Sequence, residues 1–385
     1  MQGGALSRSD GSARLPRGFF PSPLRFSAKP NSDEVSGITL YGPEMKGFMD
    51  PVALTRSLID IESVTGREKA VGEFLFAALA ELAAASNGIV ERMAVAPDRF
   101  NVFATWGSPL VVLSTHMDTV PPFFPSSENT EFVFGRGACD AKGILAAMIC
   151  AAKQLCAAGS RNFGLLFVVG EEKDSLGALT AAQHPRGTRF LINGEPTENQ
   201  LALGCKGALR FVLTARGRLA HSAYPELGES AIEKLLDALE AARKLQLPDD
   251  RTLGRSTLNI GTISGGRAPN VVADEAHADL MFRTVGDPEP IREALRAAVG
   301  GRVEIEESLH TPALRLEAVP GFETTVVAYT TDIPNFGGAW GQPVLIGPGS
   351  IHVAHTAKEH IAKKELASAI GIYSRLAQRL LAELD

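Results

Sequence analysis

The sequence has no basic excess. Its formal net charge is -6 and its pI is near 5.8, which argues against a nucleic-acid binder, because such proteins carry a basic face. It has no long hydrophobic run either; nothing approaches the roughly 18 uninterrupted apolar residues of a membrane span. Cysteine is sparse. Cys139, Cys150, Cys156 and Cys205 form no C-x-x-C pair, so buried thiols in a reducing, cytosolic compartment are expected. Two glycine-rich stretches, "GRGACDAKG" and "GPGS", match neither a P-loop nor a dinucleotide fingerprint, which argues against nucleotide binding.

What is present is a chain of 385 residues, 45% hydrophobic and 21% charged, enough for a large core in two or three domains. Residues 1–48 are rich in Ser, Pro, Gly and Arg and have no hydrophobic periodicity. A disordered leader or an upstream start codon is expected there, with an organelle transit peptide as the alternative; without an apolar h-region an ordinary secretory signal is not expected. A domain begins naturally at Met49, where Asp50 supplies a cap acceptor and Pro51 the first helical position. Thr65 and Glu68 have the spacing of a capping box before "KAVGEFLFAALAELAAA", which Asn87-Gly88 ends.

Beyond that helix come the strand-like runs "RFNVFATW", "LVVLSTH", "FGLLFVVG" and "TRFLING". The apolar helix "AKGILAAMICAAKQLCAAG" separates the second from the third, and "SLGALTAAQH" the third from the fourth. Apolar strands alternating with helices predict an α/β domain with a mainly parallel sheet covered on both faces. From Lys206 the texture changes to β-α-β-β-α-β, the split βαβ pattern of a ferredoxin-like α+β domain. The chain then returns to a strand and loop, "GQPVLIGPGS", and a terminal helix. The expected organisation is therefore a first catalytic part at 49–205, an inserted domain at 206–311 and a second catalytic part at 312–385.

Ligands in open α/β sheets bind outside the carboxyl ends of the strands, and those ends are acidic here. "LVVLSTHMDTVPP" ends in His116 and Asp118; Asp140 opens the long helix; "VVGEEKDSLGA" carries Glu171 and Glu172; "LINGEPTE" ends at Glu195; "AHTAKEHI" adds His355. Singly, each has an ordinary explanation as a helix cap, a solvated loop or a structural histidine. Together, five carboxylates and two imidazoles at one sheet edge repel each other unless cations lie between them. A pair of divalent ions resolves the conflict, with His116 a ligand and Asp118 accepting its other ring N–H. Gly347 and Gly349 allow close backbone approach to a ligand. His184, His277, His310, His352 and His360 acquire no role.

These blocks, in this order and spacing, resemble the two-zinc amidohydrolases that include acetylornithine deacetylase, succinyl-diaminopimelate desuccinylase, aminoacylase and carboxypeptidase G. The resemblance runs from Met49 to the end; Ala141 departs from it, since many members carry Asp or Met there. It implies that Asp140 bridges two metals, with His116 and Glu195 completing one site and Glu172 and His355 the other. It implies Glu171 as general base and Asp118 as the partner of His116. Mixed N/O ligation suits Zn²⁺, with Co²⁺ or Mn²⁺ as substitutes. Members dimerise through the inserted domain and reach the neighbouring site with a histidine, which "RGRLAHSAYPELG" places at His221; the alternative is an ordinary turn histidine. "GGRAPNVVADEAHADLMFRTV" implies substrate contacts from Asn270 and Arg283, although Arg283 also suits a strand salt bridge, and Gly349 joins them as a substrate-side residue.

The substrate expected from the resemblance is a small N-acyl amino acid, first an N-acetylornithine-type compound of arginine biosynthesis. Succinyl-diaminopimelate comes next, and a carboxypeptidase or dipeptidase acting on short peptides is the alternative. A non-catalytic binder of amino-acid derivatives is the reading from another class; it predicts loss of Glu171 or a ligand, and none is lost.

Overall fold

The computed structural model describes residues 50–384; the leader expected at 1–48 lies outside them. The first helix, α1 (Pro51–Ile59), is capped by the Asp50 carboxylate, which accepts the Val52 N–H. Helix α2 (Lys69–Ser86) ends at Asn87 in the left-handed region, the usual C-terminal signal. Its start differs from the expected capping box. Glu68 occupies the cap position without a side-chain cap bond, because its carboxylate is engaged by Arg99.

The chain then forms β1 (Ile89–Ala96), β2 (Arg99–Trp106), β3 (Val111–His116), α3 (Lys142–Ala157), β4 (Phe163–Val168), α4 (Leu176–Ala182) and β5 (Phe190–Asn193). There follow β6 (Gly207–Arg216), α5 (Ala231–Arg243), β7 (Thr257–Gly265), β8 (Glu275–Thr284), α6 (Glu289–Val299) and β9 (Glu304–Thr311). Last come β10 (Gln342–Leu345) and α7 (Lys363–Ala382). The large sheet has the order β1-β2-β4-β3-β5-β10. Its β4-β3-β5-β10 part is parallel, and β2 and β1 add antiparallel strands at one edge.

Every residue of β3 and β4 is buried, as expected of strands covered on both faces. Their side chains divide by the two-residue period. Val111, Leu113, Phe163, Leu165 and Phe167 join the core under α1, α2, α3 and α7. Val112, Leu166 and Val168 face the opposite layer, where α4, Phe336 and Trp340 pack; the Trp340 indole N–H donates to the Ala181 carbonyl at 2.8 Å.

The insertion is a four-stranded antiparallel sheet of order β7-β8-β6-β9. Strand β6 alternates Leu209, Phe211, Leu213 and Ala215 inward against α5 and α6, with Ala278, Leu280 and Phe282 of β8 beside them. That core is its own. Two short three-stranded sheets complete the fold: Leu201–Cys205 pairs with Leu314–Arg315 and Thr324–Val327, and Phe132–Phe134 with His360–Ala362 and Ser127–Glu128. No helix among the described residues is long and apolar enough to cross a membrane.

Candidate metal centre

The seven strand-end residues meet at the carboxyl edge of the parallel strands. The buried His116 ring sends Nε2 to Asp140 Oδ1 at 2.9 Å. The other Asp140 oxygen, Oδ2, lies 3.3 Å from His355 Nε2, which is also 3.0 Å from Glu172 Oε1. One carboxylate thus stands between two imidazoles, an oxygen to each. Ligating atoms of His116, Asp140 and Glu195 lie within 4.8 Å of one another, and so do those of Asp140, Glu172 and His355. These are the two triads expected above, sharing Asp140.

Asp118 does more than orient a histidine. Its Oδ1 accepts the main-chain N–H groups of Gly170 and Glu171 at 2.9 and 3.1 Å, and Oδ2 accepts that of Glu172 at 3.2 Å and the Thr65 hydroxyl at 2.7 Å. The nearer acceptor for His116 Nδ1 is the main-chain carbonyl of Asp118, at 3.0 Å, with the carboxylate at 3.5 Å. Asp118 therefore fixes the loop that presents Glu171 and Glu172. Arg99 grips the same loop from below, bonding Asp174 at 3.0 Å and Glu68 at 2.7 Å.

A second clamp holds the other half of the site. The buried Arg136 donates to Glu359 Oε2 at 2.5 Å and to the His355 carbonyl at 3.5 Å. Glu359 Oε1 accepts the main-chain N–H groups of Cys139 and Asp140, both at 3.3 Å. One ion pair thus ties the backbone of Asp140 to the loop bearing His355. The Asp140–Ala141 and Pro121–Pro122 peptide bonds are cis.

The charges call for cations. Burial alone lowers the His116 pKa, but the carboxylates of Asp118 and Asp140 outweigh it and push the imidazole well above its ordinary value. Hydrogen bonds to Asp140 and Glu172 raise His355 to about 10. Burial, with the neighbouring carboxylates, drives Glu171 and Glu195 well above the usual carboxylate range. Among the described residues the buried Glu195 Oε1 has no hydrogen-bond partner. Carboxylates so placed fit divalent ions with oxygen and imidazole ligands.

Among the described residues the buried Asp332 makes no hydrogen bond of ordinary geometry, although Ser175 and Asn335 stand near enough to oppose the rise in its pKa. Burial lifts its pKa to about 6, and its charge acts on Glu171 and Glu195. The sequence offered one signal for it: Asp332 is the lone charge between Thr324 and Gly341. Arg136 and Glu359 were also not singled out in advance, although both lie inside the quoted blocks, and Thr65 was read only as a helix cap.

The insertion carries the remaining expected residues. His221 is exposed, pairs with Val271 in a short ladder, and accepts the Ala223 N–H at 3.1 Å; the Asn270 carbonyl accepts the Ser222 N–H at 3.0 Å. Arg283 lies on the outer face of β8. Burial lowers its pKa, and among the described residues it has no hydrogen-bond or ion-pair partner, so the salt bridge weighed for it is not formed. Among the described residues none of these three bonds to the two triads. The close approach allowed by the loop glycines is made by the protein itself. A Cβ on Gly347 would stand 2.5 Å from the Glu195 carbonyl, and one on Gly349 (φ +89) 2.7 Å from Cys139 Cβ.

A parallel-sheet domain with two acid–imidazole triads sharing an aspartate, interrupted by a ferredoxin-like insertion, defines a metal-dependent hydrolase of amide or peptide bonds. The family model described as Peptidase family M20/M25/M40 matches residues 112–379, and the chain belongs to that family. A Peptidase M20 domain-containing protein of Schizosaccharomyces pombe is 40% identical, over 84% of this chain and 83% of its own. A protein of Aspergillus terreus named "Probable carboxypeptidase" is 39% identical, over 84% of each. Among solved structures, the aminopeptidase PepT of Bacillus cereus superposes with a TM-score of 0.70 at 20% identity, covering 87% of this chain and 99% of that one.

Proposed function

We propose that this enzyme cleaves an amide whose leaving amine is an amino acid with a free α-carboxylate, and that its substrate is an N-acyl amino acid, first an N-acetylornithine-type compound of arginine biosynthesis. The observation that carries the reading is the placement of Glu171, which stands against both triads and belongs to neither. His116, Asp140 and Glu195 would hold one ion; Asp140, Glu172 and His355 would hold the second. When bound, two divalent ions, Zn²⁺ or in its place Co²⁺ or Mn²⁺, polarise the scissile carbonyl and acidify water.

The chain's own residues supply the rest. Glu171 takes a proton from the attacking water and passes it to the departing nitrogen, a role that typically contributes about 10²–10⁴-fold. Asp118 keeps Glu171 and Glu172 in register through their backbone N–H groups. The unpaired guanidinium of Arg283 suits a bidentate carboxylate, and Asn270 and the Gly349 loop complete the substrate side.

We place the protein in the cytosol as a homodimer joined through the insertion, so that His221 of one subunit stabilises the oxyanion in the other's site. Support comes from the insertion's surface. Leu219, Tyr224, Leu227, Ile232, Leu236 and Ile263 are exposed there, and β7, which carries Ile263, is an edge strand among the described residues; exposed apolar side chains and unpaired edges both suit association.

The second reading, a carboxypeptidase, is favoured by the names of relatives and shares the same leaving group. A panel of N-acetyl and N-succinyl amino acids and dipeptides, assayed with added Zn²⁺ or Co²⁺, separates the two. Turnover of peptides with none of acyl amino acids would refute the deacylase reading.

A further inference from the structure

At the far end of the insertion from its exposed apolar side chains lies a cavity of about 530 Å³, within the range of small-molecule sites. The end of α5, the segment that follows it and the first half of β7 wall it. The apolar patch sits instead where α5 begins and β7 ends; a Cβ on Gly266 would stand 3.0 Å from Ile232. None of the residues assigned to the metal centre or to its substrate side lines the cavity.

The lining sets cations over an aliphatic floor. Leu245, Leu247, Leu258 and Ile260 are half-buried against the insertion's core. Arg243 and Arg255 line the cavity, and no carboxylate does. Among the described residues neither guanidinium has a hydrogen-bond or ion-pair partner. The acids nearby are engaged elsewhere: Glu240 by Lys244 at 2.6 Å, and Asp250 by Arg315 and the N–H groups of Thr252 and Leu253. Asp249 is the ladder partner of Arg255, yet among the described residues it forms no ion pair with it. Lys206 adds a third positive charge, its Nζ donating to the Arg255 carbonyl at 2.7 Å. Ser256 also lines the cavity, and among the described residues its buried hydroxyl has no hydrogen-bond partner. A buried donor is costly to leave unmatched, so an acceptor brought there is favoured.

We propose that this cavity is a second binding site, for an amphipathic anion whose oxygens meet Arg243, Arg255 and the Ser256 hydroxyl and whose aliphatic body covers the leucines. Guanidinium forks match the paired oxygens of a carboxylate, and a carboxylate carrying a hydrocarbon chain uses both halves of the lining. The site is independent of the reaction read above. Both arginines are exposed, so together they supply about tenfold in affinity, and high salt reduces it.

The test titrates the metal-loaded, full-length protein calorimetrically with hexanoate, with hexanamide as its neutral counterpart, and with acetate, which keeps the head and lacks the chain. Hexanoate should bind about tenfold tighter than hexanamide, and tighter than acetate. The preference over hexanamide should vanish in Arg243→Gln/Arg255→Gln, which changes only exposed side chains and should unfold at the wild-type temperature. It should persist in Arg283→Ala, where the guanidinium is lost from the substrate side instead. A preference that survives the double arginine variant puts the carboxylate at the metal centre and overturns the proposal. Loss of the preference in Arg283→Ala overturns it too, as does wild-type binding of hexanoate no tighter than that of hexanamide or of acetate.

Discussion

Replacing Arg136 by methionine tests whether the buried clamp sets the metal centre. The Arg136 and Glu359 side chains are 2% and 0% exposed and meet at 2.5 Å. Removing the guanidinium strands a carboxylate in the interior, which costs about 3–5 kcal/mol. For a folded body of this size, at about 2 cal/mol/K per residue, that lowers Tm by about 4–7 °C. Function suffers separately, because Glu359 Oε1 also holds the N–H groups of Cys139 and Asp140. Loosening that backbone is expected to weaken Zn²⁺ binding about 10–100-fold, the usual cost of losing a ligand's support. Calorimetric unfolding and a competitive chelator titration read the two effects. The double variant Arg136→Met/Glu359→Leu buries no orphan charge, so it should recover most of the lost stability while still binding metal weakly. A loss below about 1 kcal/mol in the single variant, or a double variant whose losses simply add, refutes the argument.

Glu171→Ala should retain both ions by elemental analysis and lose at least about a hundredfold in kcat; near-normal turnover contradicts the base assignment. Asp118→Asn can no longer accept from three backbone N–H groups and the Thr65 hydroxyl with ionised oxygens, and should lose about 10–100-fold in activity or metal affinity. In the metal-free protein the raised His355 pKa, about 10, keeps that imidazole protonated at neutral pH. Ion binding must then displace the proton, so affinity rises with pH up to about that value and calorimetry in buffers of different ionisation enthalpy should register release of at least about one proton; no release refutes the assignment. Co-expressing Glu171→Ala with His221→Ala should restore about a quarter of wild-type activity, because in a two-fold dimer half the molecules carry one complete site; no recovery argues against a shared site.

Much of the fold was legible because β3 and β4 are buried on both faces, leaving unbroken apolar runs that only a covered parallel sheet explains. Strand β1 was not. It is an edge strand with three exposed and four half-buried residues and Met93 its one buried residue, so neither alternation nor an apolar run marks it. The Thr65–Glu68 spacing misled because local capping lost to tertiary partners, Asp118 and Arg99. The acidic and imidazole groups that the fold brings together could be picked out because they punctuate strand ends. The Arg136–Glu359 pair could not, since its members lie 223 positions apart and nothing in either neighbourhood names the other.

Strand β10 lies beside β5, yet the whole insertion intervenes. During synthesis the first segment must therefore wait with one flank of its sheet unsatisfied while the interposed module, which has a self-sufficient interior, is free to mature. That waiting interval is when bare backbone invites wrong partners. It ends only when the tail docks, and the same docking delivers His355. On the proposed reading of His355 as a metal ligand, the nascent protein is inert towards its substrate until the vulnerable flank has been sealed.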